Sequence, residues 1–213
     1  MKSFDELIQN GYRGHPPESK VLGIGGSPRK GGNSDVLLTH ILKGAGKAGV
    51  NTEKIQLRNY QYQGCIGCER CRKDKICTGL MDGMSLLYLK IVASQALVLV
   101  SPTHNYNVTA WMKAFIDRLY CFYDFDNHRP GKWSSRLADQ NRKALIVAVC
   151  EQKTKKDMGL TIDAMRLPLE ALGYDVIGEL PVFGVFSKAK VKENREVLKK
   201  AEGLGLDLAG SIL

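Results

Sequence analysis

The stretch Lys20-Val-Leu-Gly-Ile-Gly-Gly-Ser-Pro-Arg-Lys-Gly-Gly-Asn-Ser34 decides how this chain folds. Residues 20–25 read as a buried apolar strand, and residues 34–48 read as a helix. On that helix Val36, Leu37, His40, Ile41 and Leu42 lie near one face, while the glycines within 44–49 are expected to loosen its end. Between the two elements sits a glycine-rich loop. A strand that passes through such a loop into a helix aims successive N–H groups, and the positive end of the helix dipole, at one point. Ser27, Asn33 and Ser34 add side-chain donors, Arg29 adds a charged fork, and the glycines let backbone approach closely. Two familiar loops do not fit. A Walker A loop needs Gly-Lys-Ser/Thr where Gly31-Gly32-Asn33 stands. A dinucleotide loop needs a third glycine where Pro28 stands and an acid after the next strand, where Leu57-Arg58-Asn59 stands. A terminal phosphate monoester is the better guest, and a glycine turn without a ligand is the alternative.

Working outward, short apolar runs alternate with longer amphipathic ones. Strands are expected at 52–57, 96–100, 143–149 and 175–183, and helices at 82–93, 109–120, 157–172 and 190–203. Fully apolar strands alternating with helices argue for a parallel sheet covered on both faces. Right-handed crossovers leave a dinucleotide-binding or a flavodoxin-like strand order. In either, ligands meet the loops after Ile24, Leu57, Val100 and Val149. Residues 1–19 look like an appended arm, and residues 124–142, rich in Asp, Asn, Arg and Ser, look like an inserted loop.

Composition narrows the functions. The chain has 213 residues, 44% hydrophobic and 25% charged, values of an ordinary globular protein. No apolar run approaches the roughly 18–20 residues that cross a bilayer, so no membrane role is expected. The amino end is too polar for a secretory signal, so the expected location is the cytoplasm. The net charge of +9 is scattered rather than packed into an arginine block. A solvated basic surface, or attraction of anionic cofactors or an acidic protein, therefore reads better than nucleic-acid binding.

A second loop, Ser101-Pro-Thr-His-Asn-Tyr-Asn-Val-Thr109, leaves the third strand and enters the helix of Trp111. His104 and Tyr106 can pack on a flat ring, and Asn107 or Thr109 can cap the helix. Taken alone it is a capped loop with aromatics. Taken together, residues 26–34 and 101–118 resemble the NAD(P)H-dependent FMN reductase family in order and spacing, over roughly residues 20–185. The resemblance implies a flavodoxin-like, doubly wound, five-stranded parallel sheet of order 2-1-3-4-5 with helices on both faces. Residues 20–213 would then be one FMN-binding domain. It implies that Ser27, Arg29, Asn33 and Ser34 hold the FMN phosphate, and that Pro102, Thr103, His104, Asn105 and Tyr106 border the isoalloxazine ring. It also implies a homodimer or homotetramer. The sequence departs from many members in carrying His104 for an aromatic residue and Tyr106 for a glycine.

Four of the six cysteines, Cys65, Cys68, Cys71 and Cys77, fall in a loop at 64–79. The first two gaps match the compact run of bacterial ferredoxins, but the third is longer. Gly64, Gly67 and Gly79 give the loop freedom, and Arg70, Arg72, Lys73 and Lys75 offset thiolate charge. A cubane cluster, a zinc ion and a set of reduced thiols all remain open from spacing alone. The loop resembles that of the iron–sulfur flavoprotein branch of the same family, which implies a [4Fe–4S] cluster on all four cysteines. Cys121 and Cys150 read as buried small hydrophobes. The run Tyr120, Phe122, Tyr123, Phe125 reads as core or interface, and Asp117-Arg118 as helix surface.

The expected function is an FMN-dependent oxidoreductase. It would pass electrons between a ferredoxin-like or NAD(P)H donor and a small acceptor such as oxygen, peroxide or a quinone. An NAD(P)H-dependent FMN or quinone reductase without a cluster is the alternative. No side chain is expected to act as a catalytic acid or base.

Overall fold

The strand–loop–helix at the amino end is the first unit of a wound sheet. The computed structural model describes residues 17–213. The chain runs β1 (Glu18–Gly25), α1 (Asn33–Lys47), β2 (Asn51–Gln56), α2 (Arg70–Asp74), α3 (Met84–Ala93), β3 (Ser94–Pro102) and α4 (Ala110–Arg118). It continues through β4 (Tyr123–Phe125), β5 (Trp133–Ser135), β6 (Lys143–Val149), α5 (Lys155–Met158), α6 (Asp163–Ala171), β7 (Asp175–Val182) and α7 (Arg195–Gly210). Five strands pair in parallel in the order β2-β1-β3-β6-β7. With the β4–β5 hairpin set aside this is the flavodoxin-like order 2-1-3-4-5.

The period-2 geometry of a strand splits each apolar run between two cores. Val21, Val98, Val100, Val147 and Val149 face one way and pack under α1 and α7. Leu22, Ile24, Leu97, Leu99 and Ile146 face the other way and pack under α3, α4 and α6. On the first face two helices meet backbone to backbone. A Cβ on Gly44 would lie 2.0 Å from the Glu202 carbonyl oxygen, and one on Gly205 would lie 2.0 Å from that of Ile41. Gly44 therefore seats α1 against α7, rather than loosening the helix as its sequence context implies.

Four other expectations are corrected. Glu18 and Ser19 belong to β1 rather than to an arm, with Glu18 in register beside Ser94; residues 1–16 lie outside the described residues. The segment 124–142 is not a plain loop. It holds the β4–β5 hairpin and ends at buried Arg142, which donates to the carbonyls of Ile91 (2.8 Å), Val92 (2.7 Å) and Ser94 (2.6 Å) and so closes the end of α3. The single helix expected at 157–172 is two, α5 and α6. Gly159 breaks it at φ +57, where its α-carbon packs against Tyr106. There the Leu160 N–H donates to the Tyr106 carbonyl at 2.8 Å. The last helix also begins later and runs further than expected, from Arg195, capped by the Asn194 side chain, to Gly210. Among the described residues no helix is long and apolar enough to cross a membrane.

Candidate functional site

The sheet order puts the glycine loop at the carboxyl end of a central strand, between β2 and β3. Gly26 N–H donates to the Val100 carbonyl at 2.8 Å, carrying the ladder into the loop. Gly31 sits at φ +71, a conformation that favours glycine, and Gly32 N–H closes a turn on the Arg29 carbonyl at 3.1 Å. Gly32 is also the N-cap of α1, and no side chain caps that helix. Its first-turn amides therefore have no acceptor within the helix. They open on a cleft of about 570 Å³. Ser27, Arg29, Gly32, Asn33 and Ser34 line one wall, and Pro102, Thr103 and His104 line a second. Glu151 comes from the loop after β6, and Val185, Phe186 and Lys188 from the loop after β7. An uncapped helix start, two buried serine hydroxyls and two cations against one carboxylate suit a phosphate monoester.

The predicted donors do not all point into the cleft. Arg29 Nη1 donates to the Phe186 carbonyl at 3.0 Å, and its guanidinium stacks 4.4 Å from the Phe186 ring centroid. Asn33 Nδ2 donates to the Ser187 carbonyl (3.1 Å), and its Oδ1 accepts from Val191 N–H (3.0 Å). Asn33 thus straps the segment after β7 across the cleft mouth. Beneath the loop, Arg58 donates to the Ser27 carbonyl (3.0 Å), to Gln56 Oε1 (2.9 Å) and to both oxygens of Asp35 (3.0 and 2.7 Å). Asp35 in turn accepts from Gly31 N–H at 2.8 Å. Sequence reasoning treated Arg58 only as the absence of an acid. Its role needs the β1–β2 adjacency to be visible. Lys188 and Phe186 carried no signal at all, because nothing in the sequence announces that the loop after β7 folds back over the cleft.

The loop after β3 is held by short bonds. Thr109 Oγ1 caps Met112 N–H (3.2 Å) and donates to the Gly26 carbonyl (2.7 Å), so α4 starts on the glycine loop itself. His104 and Asn107 exchange N–H···O bonds of 2.8 and 3.1 Å around a two-residue tip, with Asn105 at φ 49 and Tyr106 at φ 64. Pro102, Thr103 and His104 line the cleft; Asn105 and Tyr106 form the exposed tip outside that lining.

The four clustered cysteines line one second cavity of about 680 Å³, together with Gly79, Arg118 and Tyr120. Gly79 is required by close approach, since a Cβ there would lie 2.4 Å from Cys68 Sγ. Gly67, at φ +66, turns its N–H onto Cys65 Sγ at 3.5 Å. Burial, then the neighbouring Cys77, Cys65 and Cys68, push the Cys71 thiol up to about 11. Among the described residues no three or more His, Cys, Asp or Glu side chains gather as ligands of a single ion. Four soft thiol donors spread around a cavity suit a polyatomic iron–sulfur group better than one ion. The β4–β5 hairpin supports this loop: Arg72 donates to the Asp126 carbonyl (2.8 Å) and lies over the Phe125 ring, while Lys75 pairs with Asp124 (2.8 Å). Of the aromatic run, Phe122 is core against Tyr88, whereas Tyr120, Tyr123, Phe125 and Trp133 cluster beside the thiol loop. Cys121 and Cys150 are buried. Arg118 is not helix surface: its side chain is 1% exposed, although the neighbouring Asp117 side chain is 41% exposed.

The family model of NADPH-dependent FMN reductase matches residues 19–155. An iron–sulfur flavoprotein of Archaeoglobus fulgidus is 33% identical over 190 residues, covering 89% of this chain and 79% of that one. One of Methanocaldococcus jannaschii is 33% identical over 99 residues, which is 46% of this chain and about half (51%) of the relative. Among solved structures, an FMN-dependent NADH-azoreductase from Bacillus anthracis, in complex with FMN, superimposes with a TM-score of 0.67 at 17% identity, over 89% of this chain and 99% of that one. The last likeness bears on the fold alone. The matched stretch takes in both the glycine loop and the thiol loop, and by it the chain belongs to the NADPH-dependent FMN reductase family, an FMN-dependent oxidoreductase grouped with the iron–sulfur flavoproteins.

Proposed function

We propose that this protein is a cytoplasmic iron–sulfur flavoprotein. In this reading it moves electrons between a ferredoxin-like or NAD(P)H donor and a small acceptor, oxygen, peroxide or a quinone. One observation carries the reading: a single chain builds a cleft on its glycine loop and a cavity lined by four thiols, and α4 joins the two. Ser27, Ser34 and the first-turn amides of α1 would hold the FMN phosphate, with Arg29 offering its remaining donors. Pro102, Thr103 and His104 would border the ring, and Asn105 and Tyr106 would reach it only from the tip of their turn. Cys65, Cys68, Cys71 and Cys77 would ligate the cluster. When bound, FMN supplies both hydride and single-electron chemistry, and a cluster supplies single electrons; the polypeptide binds, orients and limits access.

The basic residues of the thiol loop suit an acidic redox partner, so turnover with such a donor should fall as ionic strength rises. Exposed Trp111, Leu160 and Leu167 support self-association as a homodimer or homotetramer, read by light scattering. The deciding test is iron, acid-labile sulfide and FMN per chain after anaerobic purification. About four irons, four sulfides and one FMN are expected for one cubane and one flavin. FMN without iron, with NADPH oxidised, would instead make the protein a plain FMN or quinone reductase.

A further inference from the structure

Arg118 is a buried guanidinium that the flavin cleft does not use. Every arm of its fork is engaged. Nε donates to Tyr88 Oη (3.2 Å); Nη1 donates to the Gln63 carbonyl (3.0 Å) and Asp82 Oδ2 (2.8 Å); Nη2 donates to the Leu80 carbonyl (3.3 Å) and Asp82 Oδ1 (3.1 Å). Gln63 lies two residues before Cys65, and Leu80 lies three residues after Cys77. Asp82 completes the ring. It accepts from Gln63 N–H (3.3 Å) and from Met84 N–H at the start of α3 (3.0 Å). Both backbone groups of Gln63 are therefore tied to the Arg118–Asp82 pair. Arg118 is also one of the residues lining the thiol cavity.

Arg118 is also the last residue of α4, whose first turn is fixed to the glycine loop through Thr109 and Gly26. Nine residues at 1.5 Å each make that helix a strut of about 14 Å. We infer that Arg118 is a positioning residue that closes the thiol loop and sets it at a fixed distance from the flavin cleft. Its planar fork reaches both ends of the loop and Asp82 at once, which a lysine ammonium at the same place does not. The inference rests on the reading that the four cysteines hold an iron–sulfur cluster.

The test compares anaerobically purified wild-type protein with Arg118→Lys and Asp82→Asn, with Lys199→Ala on the exposed face of α7 as the control. Iron, sulfide and FMN per chain, the thermal midpoint and the electron paramagnetic resonance of the reduced cluster are recorded for each. Arg118→Lys should weaken iron retention about 10–100-fold, the scale seen when groups that orient metal ligands are lost. FMN content should stay at the wild-type level, any residual cluster signal should be altered in shape, and Lys199→Ala should match wild type. Asp82→Asn keeps an acceptor for Met84 N–H but loses the charge pair, so it should show the same selective loss; it decides the matter if Arg118→Lys fails to fold. Equal iron and an unchanged signal in both variants would overturn the inference while leaving the cluster reading intact. Iron and FMN falling together with the thermal midpoint would also overturn it, because Arg118 would then be general scaffold. A wild type free of iron would remove the cluster reading, and this inference with it.

Discussion

The glycine loop and the thiol loop occupy successive loops of one sheet, yet they are built in opposite ways. The glycine loop is held from within and from directly below. Its turns close on its own carbonyls, its ladder continues into β3 through Gly26, and Arg58 and Asp35 pin Ser27 and Gly31 from the turn after β2 and the first turn of α1. The thiol loop is held mainly by charged side chains of other elements. Arg118 and Asp82 hold its ends, and Asp124, Asp126 and Arg136 hold its middle, with Arg136 donating to the Lys75 carbonyl at 2.6 Å. An anion site made of backbone amides is complete once the strand and helix form. A four-thiol site needs side chains from several elements to agree before its donors face one space.

Four perturbations probe that contrast. The largest effect is expected from Cys68→Ala. Iron should fall to background while FMN stays bound; joint loss of flavin would show that the two regions do not fold independently. Arg58→Ala is the mirror experiment. It leaves Asp35 half of a buried ion pair (13% and 11% exposed) and should cost about 3 kcal/mol, read in denaturant unfolding and as weaker FMN binding. Iron content should hardly change, and a larger loss of iron than of flavin would reverse the assignment. Arg29→Ala should weaken FMN by about 2 kcal/mol in a fluorescence titration, the scale of a charge-assisted bond. Riboflavin, which lacks the phosphate, should lose far less. Equal losses for the two flavins would mean that Arg29 serves mainly to hold Phe186.

The smallest effect is one of pH. Burial raises the Asp82 carboxyl, but the Arg118 fork and the N–H groups of Met84 and Gln63 more than offset it, so its net pKa is lowered. Its contribution to stability is therefore present above the ordinary aspartate pKa of about 3.9 and fades as pH falls through the lower folded value. The stability difference between wild type and Asp82→Asn should be constant above about pH 5 and shrink toward pH 3 in urea melts. A difference that grows on acidification would contradict the pairing.

Much of the fold was legible in order. The apolar runs at 20–25, 96–100 and 143–149 fall within β1, β3 and β6, and the glycine punctuation falls between β1 and α1, because buried parallel strands leave a composition that periodicity detects. The errors share one cause. Gly159 ends a helix because Tyr106 occupies the space beside it, and Gly44 stays helical because α7 crosses there. The 124–142 segment reads as an insertion until its hairpin is found bracing the thiol loop. None of these partners lies nearby in sequence.

The sheet, the glycine-rich turn after β1 and the four-thiol spacing can be read from the residues alone, since each depends on one strand, one turn or one short run. Packing settles the rest: Arg58 braces the glycine loop, Arg29 and Asn33 strap Phe186 and Ser187 across the cleft, and Arg118 joins both ends of the thiol loop. A guanidinium spends its donors on whatever carbonyls and carboxylates the packed chain brings within about 3 Å, and residue type carries no record of that choice.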